Sequence, residues 1–317
     1  MVLFEWFGVS FSVYGLGAAL SAAIFVLSMR FFNRKSRPDA VSLALHALPL
    51  AFVFSRLFFC LARLGMYLER GMLSVLLTWE GGFLMWGALA GAALGAFIAS
   101  KRFRSDFAST LDRMAVPAMA SIALLRLFEY FTTEGRGLYL ESNGFFCRFP
   151  FGVPNEFAEW QLAVFFWEAI AAAIILAVLF RHSGAKGDKA LLMLVTYSAA
   201  QILFESLRVD ASPKWGFVRV SQTLSAVVLF GASLTRANML LGKRKAATRA
   251  LVTLFCIAAV GILEWALDKS PLPVWACYGL MCAAMAIALL VACPGKRHRR
   301  GFTDDGTHAP SPGTPSG

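Results

Sequence analysis

The sequence predicts an all-α polytopic membrane protein, and three observations lead to this fold class. Of the 317 residues, 58% are apolar, a share that soluble domains of this length seldom reach. Apolar stretches of about 20 residues recur, and each is long enough to cross about 30 Å of hydrocarbon. The loops between these stretches alternate between strongly and weakly basic. A soluble fold is excluded because too much apolar surface would face water.

Nine stretches have the length of a membrane-spanning helix. They cover residues 11–32, 40–63, 83–100, 109–131, 158–180, 189–207, 217–235, 250–267 and 273–293. The apolar segment 71–82 is too short to cross, so we expect a re-entrant or interfacial segment that leads into the third span. In that span Gly87, Gly91 and Gly95 recur every four residues, which predicts close packing against another helix.

The basic residues favour one orientation. One set of alternating loops contains 18 Lys and Arg residues, whereas the other set contains 7. The positive-inside rule places the richer set in the cytoplasm, with the N-terminus outside and the C-terminus inside. The net charge of +11 then reflects orientation and contact with anionic lipid headgroups, and does not indicate a nucleic-acid partner. Residues 294–317 are rich in Pro, Gly, Ser and Thr and predict a disordered cytoplasmic tail.

Three smaller features narrow the class further. The segment before the first span contains Glu5 but no Lys or Arg, which favours a retained helix over a cleaved signal peptide. The six cysteines include no CxxC pair, so no disulfide framework is predicted. The four histidines are far apart in the sequence, and we expect no metal site and no cofactor.

Charged residues within the spans are the candidates for a functional site, because each costs about 2.5–3.5 kcal/mol at a helix centre. Arg126 and Glu129 stand three residues apart near the predicted outer end of the fourth span. They form either an ion pair that reaches the headgroups or part of a site. The sixth span carries a polar stripe that suits either a site or hydrogen bonds between helices. Its members are Tyr197, Gln201, Glu205 and Arg208, at helical spacing.

Three further polar residues lie on the same predicted side of the membrane. Arg56 is in the outer half of the second span, Tyr14 is near the outer end of the first, and Glu134 follows the fourth. Tyr14 would equally suit an aromatic belt at the membrane surface. If these residues meet the others in one cavity, the arginines suit an anionic phospholipid headgroup, because a guanidinium binds phosphate bidentately. Residues 132–156 are enough for a small folded cap on this side.

A series of short segments, in chain order, resembles the motifs of the prolipoprotein diacylglyceryl transferase family. They are VYGLG, SRLFF, WEGGFLMWGALAG, LLRLFEYFTTEG, AEWQL, YSAAQILFESLRVDA and WGFVRVSQTLS. Their order and spacing hold across about residues 11 to 235. The resemblance implies a seven-helix core within residues 1–240, including the cap at 132–156, and two extra transmembrane helices at 250–293.

The family resemblance also implies an activity in the bacterial plasma (inner) membrane. Such an enzyme transfers the diacylglyceryl group of phosphatidylglycerol to the lipobox cysteine thiol of a prolipoprotein signal peptide. At the matched positions Arg126 would hold the phosphate, and Glu129 or Glu205 would accept the thiol proton. The implied substrate-binding residues are Tyr14, Arg56, Glu134, Gln161, Tyr197, Gln201 and Arg208.

The sequence departs from the family pattern at several positions. The third-span histidine is Trp86, the signature asparagine is Glu129, and the sixth-span arginine is Gln201. Two glycines beside the signature arginine are Leu125 and Phe128, and the fifth-span His-Pro-Ser is Ala158-Glu159-Trp160. A non-catalytic phospholipid-binding relative, or a partner of a transferase, is therefore an alternative. A small-solute transporter is a third, although no internal repeat is visible.

The segment TRANMLLGKRKAATRA, residues 235–250, predicts a basic linker between the core and the last two spans. Because those spans follow the last motif that resembles the family, we expect them to be dispensable for folding of the core.

The predicted orientation is tested by labelling cysteines from outside intact cells. The charge asymmetry places the cap outside and the loop around residue 245 in the cytoplasm. An impermeant thiol reagent is expected to modify Cys147 but not a cysteine introduced at Lys245. Modification of the second site alone would show that the chain is inserted the other way round.

Overall fold

A computed structural model of the protein describes residues 2–6, 9–32, 38–141, 144–210 and 212–293. Within them the chain forms ten α-helices and three two-stranded antiparallel hairpins. The helices are α1 Val13–Phe32, α2 Ala40–Ala62, α3 Leu64–Arg70, α4 Met85–Arg102, α5 Phe107–Phe128, α6 Val164–Arg181, α7 Asp188–Leu207, α8 Val220–Leu241, α9 Lys243–Lys269 and α10 Val274–Ala292. The hairpins pair β1 Val2–Trp6 with β2 Val9–Ser12, β3 Gly152–Pro154 with β4 Trp160–Leu162, and β5 Lys214–Trp215 with β6 Val218–Arg219. The predicted tail, 294–317, lies outside the described residues.

Eight of the described helices are long and apolar enough to cross a membrane, which confirms the polytopic helical fold. The remaining predicted span corresponds to α4. This helix has 18 residues, but its glycines and its terminal Lys101 and Arg102 make it less apolar than the others. That α4 crosses the membrane, and with it the orientation of the termini, stays a prediction.

The glycines of α4 allow it to pack directly on the backbone of α2, as their spacing predicted. A Cβ atom added at Gly91 or Gly95 would overlap the main-chain carbonyl of Leu50 or of His46. One at Gly87 would come within 2.8 Å of the Cα atom of Ser55. No larger residue fits at this contact without moving the helices apart.

The short segment 71–82 forms no helix long enough to cross a membrane, as its length predicted. It forms two 3₁₀ turns, Met72–Leu76 and Thr78–Glu80, between α3 and α4. Irregular backbone of this kind is tolerated at membrane depth only where the protein satisfies its carbonyl groups. Arg56, buried on α2, supplies that need: its guanidinium donates to the carbonyls of Val75 (3.0 Å) and Leu77 (3.1 Å). It also donates to those of Ser74, Gly81 and Gly82.

The cap extends further along the chain than the predicted 132–156. Antiparallel strands β3 and β4 pair Val153 with Gln161, and isolated bridges join Gly137 to Arg208 and Tyr139 to Gln161. The fifth span therefore begins at Val164, not at residue 158, because β4 comes first. Gln161 belongs to the cap and does not open the helix.

Helix α7 is the centre of the bundle. Of the eight candidate spans it is the most buried, with 61% of its window inside the protein against 22% for α1 and α10. One of its faces packs in a hydrophobic cluster with α4, α5 and α6, and another packs with α8, α9 and α10. Most side chains on this helix are thus buried among other helices.

The last two helices are not a separate appendage. Only Gly242 separates α8 from α9, so the predicted basic linker is helical. Val260 of α9 and Met281 of α10 share a buried cluster with Ile202 of α7 and Leu229 of α8. Polar contacts add to it: Arg236 of α8 donates to the carbonyl of Ala292 at 2.7 Å. This packing argues against the expectation that residues 250–293 are dispensable.

Truncation after Gly242 tests the role of the helix pair. We expect the shortened chain to unfold at lower temperature in detergent than the full chain, because the α7–α8 face loses its packing partners and the Arg236 contact. Lipid replaces the lost apolar contacts only in part, since helix association in membranes depends on close packing and hydrogen bonds. A control truncation after Cys293 removes only the tail. Equal unfolding temperatures for all three chains would show that the pair is dispensable.

Candidate functional site

Four charged side chains form a closed ring between the cap-side ends of α5, α6 and α7. Arg126 contacts Glu129 at 2.5 Å through Nη1 and Glu168 at 2.9 Å through Nε. Arg208 contacts the same two carboxylates through Nη2, at 2.9 Å and 3.0 Å. All four side chains are at most 8% exposed. The interpretation of Arg126 and Glu129 as an ion pair that reaches the headgroups is therefore wrong, since both are buried.

The polar stripe of α7 lines one side of this charged ring. Arg126 Nη2 donates to the Tyr197 hydroxyl at 3.4 Å and to Gln201 Oε1 at 3.3 Å. Glu205 lies 3.5 Å from Arg208 Nη1. The helical spacing of the stripe thus placed these residues correctly on one face.

Glu205 lies in the last turn of α7, and Arg208 follows directly after the helix. The carbonyl groups at this end accept hydrogen bonds from other parts of the protein. The carbonyl of Ser206 accepts a hydrogen bond from Tyr278 of α10 (3.1 Å), and that of Leu207 accepts one from Leu138 of the cap (3.1 Å). The carbonyl of Arg208 accepts one from Arg219 (2.5 Å). A helix leaves its last four carbonyls without intrahelical partners. Here these partners fix the position of the turn that bears Glu205 and Arg208.

The cap covers one side of the charged ring, and Gly135 is its residue next to Glu129 and Arg208. Its φ of +72° suits glycine, and a Cβ there would meet Glu129 Oε2. Its N–H donates to Asp210 Oδ2 at 2.9 Å, and Asp210 pairs with Arg219 at 2.7 Å. Desolvation alone would raise the pKa of Asp210, but Arg208 and Arg219 outweigh it and lower that pKa below its ordinary value.

The ring and Glu205 together contain three carboxylates and two guanidinium groups. Glu168 Oε1 and Glu205 Oε2 are buried and accept no hydrogen bond from the described residues. Buried carboxylate oxygens without donors are costly. Both arginines are already paired with carboxylates, so a phosphate would have to displace a carboxylate from one of them.

The other predicted residues occupy different surroundings. Tyr14 is half-buried on α1 and within electrostatic range of Arg126, Glu129 and Arg208. Glu134 has an exposed side chain at the cap-side edge of the site. Nearby protein atoms displace water from around its carboxyl group, and this desolvation raises the pKa of Glu134. The negative charge of nearby Glu129 raises that pKa as well.

Two predicted substrate-binding residues do not join the ring. Gln161 is buried in the cap on β4. Arg56 binds the carbonyls of segment 71–82, so its guanidinium is occupied there. The predicted meeting of all charged groups in one place is therefore incomplete.

Sequence analysis missed Glu168, which contacts both arginines of the ring. The signal was present: Glu168 is the only acidic residue in the apolar run of α6, VFFWEAIAAAIILAVLFR. An acid at that depth is costly unless it is paired. Arg219, which links Asp210 to the end of α7, was missed as well.

Trp86 lies where the family resemblance places a histidine. Its indole is buried, donates to Ser225 Oγ at 2.8 Å, and lies with its ring centre 5.7 Å from that of Tyr197. An indole nitrogen is a donor only and cannot accept a proton as imidazole does. Among the described residues, no group of His, Cys, Asp and Glu is arranged to hold a metal ion.

The fold and the site define a multi-pass helical membrane protein with a buried, charged centre. Comparison with known sequences identifies its family. A model of the prolipoprotein diacylglyceryl transferase family matches residues 1–236, and the chain belongs to that family. Helices α9 and α10 lie beyond the matched region.

Individual relatives are similar at modest identity. A phosphatidylglycerol–prolipoprotein diacylglyceryl transferase of Frankia alni is 30% identical over 224 residues, which is 66% of this chain and 58% of that protein. The corresponding protein of Frankia casuarinae is 28% identical over 68% of this chain and 54% of its own length. That of Listeria monocytogenes serotype 4b is 25% identical over 71% and 82%. The matched region thus spans little more than half of the two Frankia relatives.

The ring predicts a large difference between two arginine substitutions. Arg208→Gln leaves three carboxylates with one arginine, and breaking a buried ion pair costs about 3–5 kcal/mol. Arg70→Gln removes an exposed pair with Glu80, worth about 0–1 kcal/mol. We expect Arg208→Gln to lower the unfolding temperature in detergent far more than Arg70→Gln. Adding Glu168→Gln to Arg208→Gln is expected to restore part of the loss, because it removes one of the carboxylates that exceed the single remaining arginine. Similar behaviour of the two single variants would contradict a buried ring.

Proposed function

We propose that this protein transfers the diacylglyceryl group of phosphatidylglycerol to the cysteine thiol of a prolipoprotein. The observation that carries the proposal is the pair of buried arginines at the cap-side ends of α5 and α7, in a chain of this family. Arginine is the side chain suited to a phosphodiester in a low-dielectric setting, because its fork is rigid and always charged. In the predicted orientation, with the N-terminus outside, this site lies on the side of the outer leaflet.

The proposed transfer reaction gives roles to both arginines and to two of the glutamates. The cysteine sulfur attacks the glyceryl carbon, the carbon–oxygen bond to the phosphate breaks, and glycerol phosphate leaves with the bonding electrons. Arg126 and Arg208 stabilise the charge on the leaving phosphate. The thiol proton passes to a carboxylate, and the candidates are Glu129, 2.5 Å from Arg126, and Glu205, 3.5 Å from Arg208.

Binding of the donor lipid requires the ring to open. Each arginine is already paired, so the headgroup phosphate replaces a carboxylate at Arg126 or Arg208. A carboxylate released in this way has lost its counter-ion in a buried setting, which is costly unless another donor takes the place of the arginine.

A second candidate function is phospholipid binding without transfer. It is favoured by Trp86, which fills the place of the family histidine, and by Glu129 and Gln201 in place of an asparagine and an arginine. These changes remove a base and a positive charge. A relative of this kind would hold a lipid for a partner transferase or for the prolipoprotein itself.

Complementation of a strain depleted of its own transferase separates the two candidates. If the proposal is correct, the wild-type gene restores lipidation of prolipoproteins, and Arg126→Lys reduces it at least tenfold, since an ammonium cannot reproduce the bidentate fork. Arg70→Lys, the same change at an exposed pair, is the matched control and should restore lipidation fully.

Lipid retention is measured on the same proteins by native mass spectrometry. Retention of phosphatidylglycerol without complementation would establish the binding function and reject the transferase. Equal retention by wild type, Arg126→Lys and the double variant Arg126→Gln with Glu129→Gln would reject the ring as a headgroup site. The variant Trp86→His extends the complementation experiment. A gain of lipidation in this variant would show that only the missing base limits transfer.

A further inference from the structure

The cap carries a cluster of aromatic side chains beside the first turn of α6. Its members are Phe145, Phe146, Phe149 and Phe151 of the cap with Phe166 and Trp167 of α6. The ring centres of Phe149 and Phe166 are 4.8 Å apart, and those of Phe151 and Trp167 are 5.8 Å apart. The cluster is only partly covered, since Phe145 is 62%, Phe146 52% and Phe149 56% exposed. Three large apolar side chains exposed together indicate contact with something other than water.

Helix α6 shows what the cluster faces. Ile174 and Val178, four residues apart, are exposed on one side of this helix, and Phe166 lies on the same side two turns before Ile174. An exposed apolar stripe on a membrane-spanning helix faces lipid. Because Phe149 packs on Phe166, the aromatic cluster continues this stripe beyond the end of the helix.

The length of α6 supports the same conclusion. With 18 residues it is the shortest of the eight candidate spans. At about 1.5 Å per residue it covers about 27 Å, slightly less than the roughly 30 Å of hydrocarbon that a span must cross. The layer of cap phenylalanines above Phe166 adds the missing apolar height.

A positively charged side chain, Arg148, lies beside the aromatic cluster. The guanidinium of Arg148 lies 4.2 Å from the ring centre of Phe145, and Arg148 is exposed. Aromatic rings at the headgroup level, with a basic side chain that reaches outward, are typical of a membrane interface.

We propose that the cap is inserted into the leaflet on its own side of the membrane through Phe145, Phe146 and Phe149, with Arg148 at the lipid phosphates. This surface is separate from the charged ring and does not depend on the proposed transfer reaction. It holds the cap down, so that Gly135 stays over Glu129 and Arg208 while lipid approaches between helices. The partner is the bilayer itself.

The proposal is tested by nitroxide labels on the full chain in lipid nanodiscs. Labels are placed at Phe149, at Ile174 as the lipid-facing reference, and at Glu141, an exposed acid of the cap, as the water-facing reference. We expect the label at position 149 to collide more often with oxygen than with a water-soluble nickel complex, as at position 174. At position 141 we expect the opposite ratio.

A label at position 149 that matches position 141 would overturn the proposal and leave the cluster as a surface for a polypeptide in water. If a cysteine-free chain for labelling does not fold, a ketone-bearing amino acid at the same three positions carries the nitroxide with the native cysteines in place. A further variant, Phe146→Asp with Phe149→Asp, should raise the accessibility of a label at Phe145 to the nickel complex several-fold, because the cap would leave the leaflet. No change in that variant would also count against insertion.

Discussion

The burial of two arginines among three glutamates is the constraint on which the rest of this structure depends. Removing a charge from water costs several kcal/mol even after relaxation, and the cost is offset only where the geometry of pairing is good. Arg126 and Arg208 meet this condition by sharing Glu129 and Glu168. Three helices must therefore end at the same height and in fixed rotation, because a displacement of any one would leave a charge without its partner.

The surrounding scaffold supplies this rigidity in ways that the membrane demands. The carbonyls at the end of α7 are bound by the cap, by α10 and by Arg219, so the turn that carries Glu205 and Arg208 is fixed. Elsewhere in the bundle, Arg56 binds the carbonyls of the irregular segment 71–82. In both places a protein donor binds the carbonyls that a helix or sheet would otherwise satisfy.

The composition of the same ring bears on whether this protein carries out phosphate chemistry. Membership of the prolipoprotein diacylglyceryl transferase family and two buried arginines favour phosphate chemistry. The acids in excess of the arginines, and an indole at the histidine position, set this chain apart from the family pattern. Under the proposed function the phosphate would take the place of one of these acids at Arg126 or Arg208.

The sequence alone determined the features that depend on local order along one helix. Apolar length gave the helical spans, glycine spacing predicted the contact of α4 with α2, and the 3.6-residue period placed Tyr197, Gln201, Glu205 and Arg208 on one face. Motif order led to the family. Each of these properties belongs to a single segment, or to a pattern of segments, and can be recognised without the fold.

Only the tertiary structure decided which faces meet. Glu168 joins the ring, Arg56 stays away from it, and α9 and α10 pack on α7 and α8, although nothing in their own segments specifies these partners. Periodicity shows that a residue lies on the polar face of its helix, but not which neighbour that face opposes. The choice of partner for a charge depends on helices that are distant in sequence, and the cost of burying an unpaired charge is what selects among the possible arrangements.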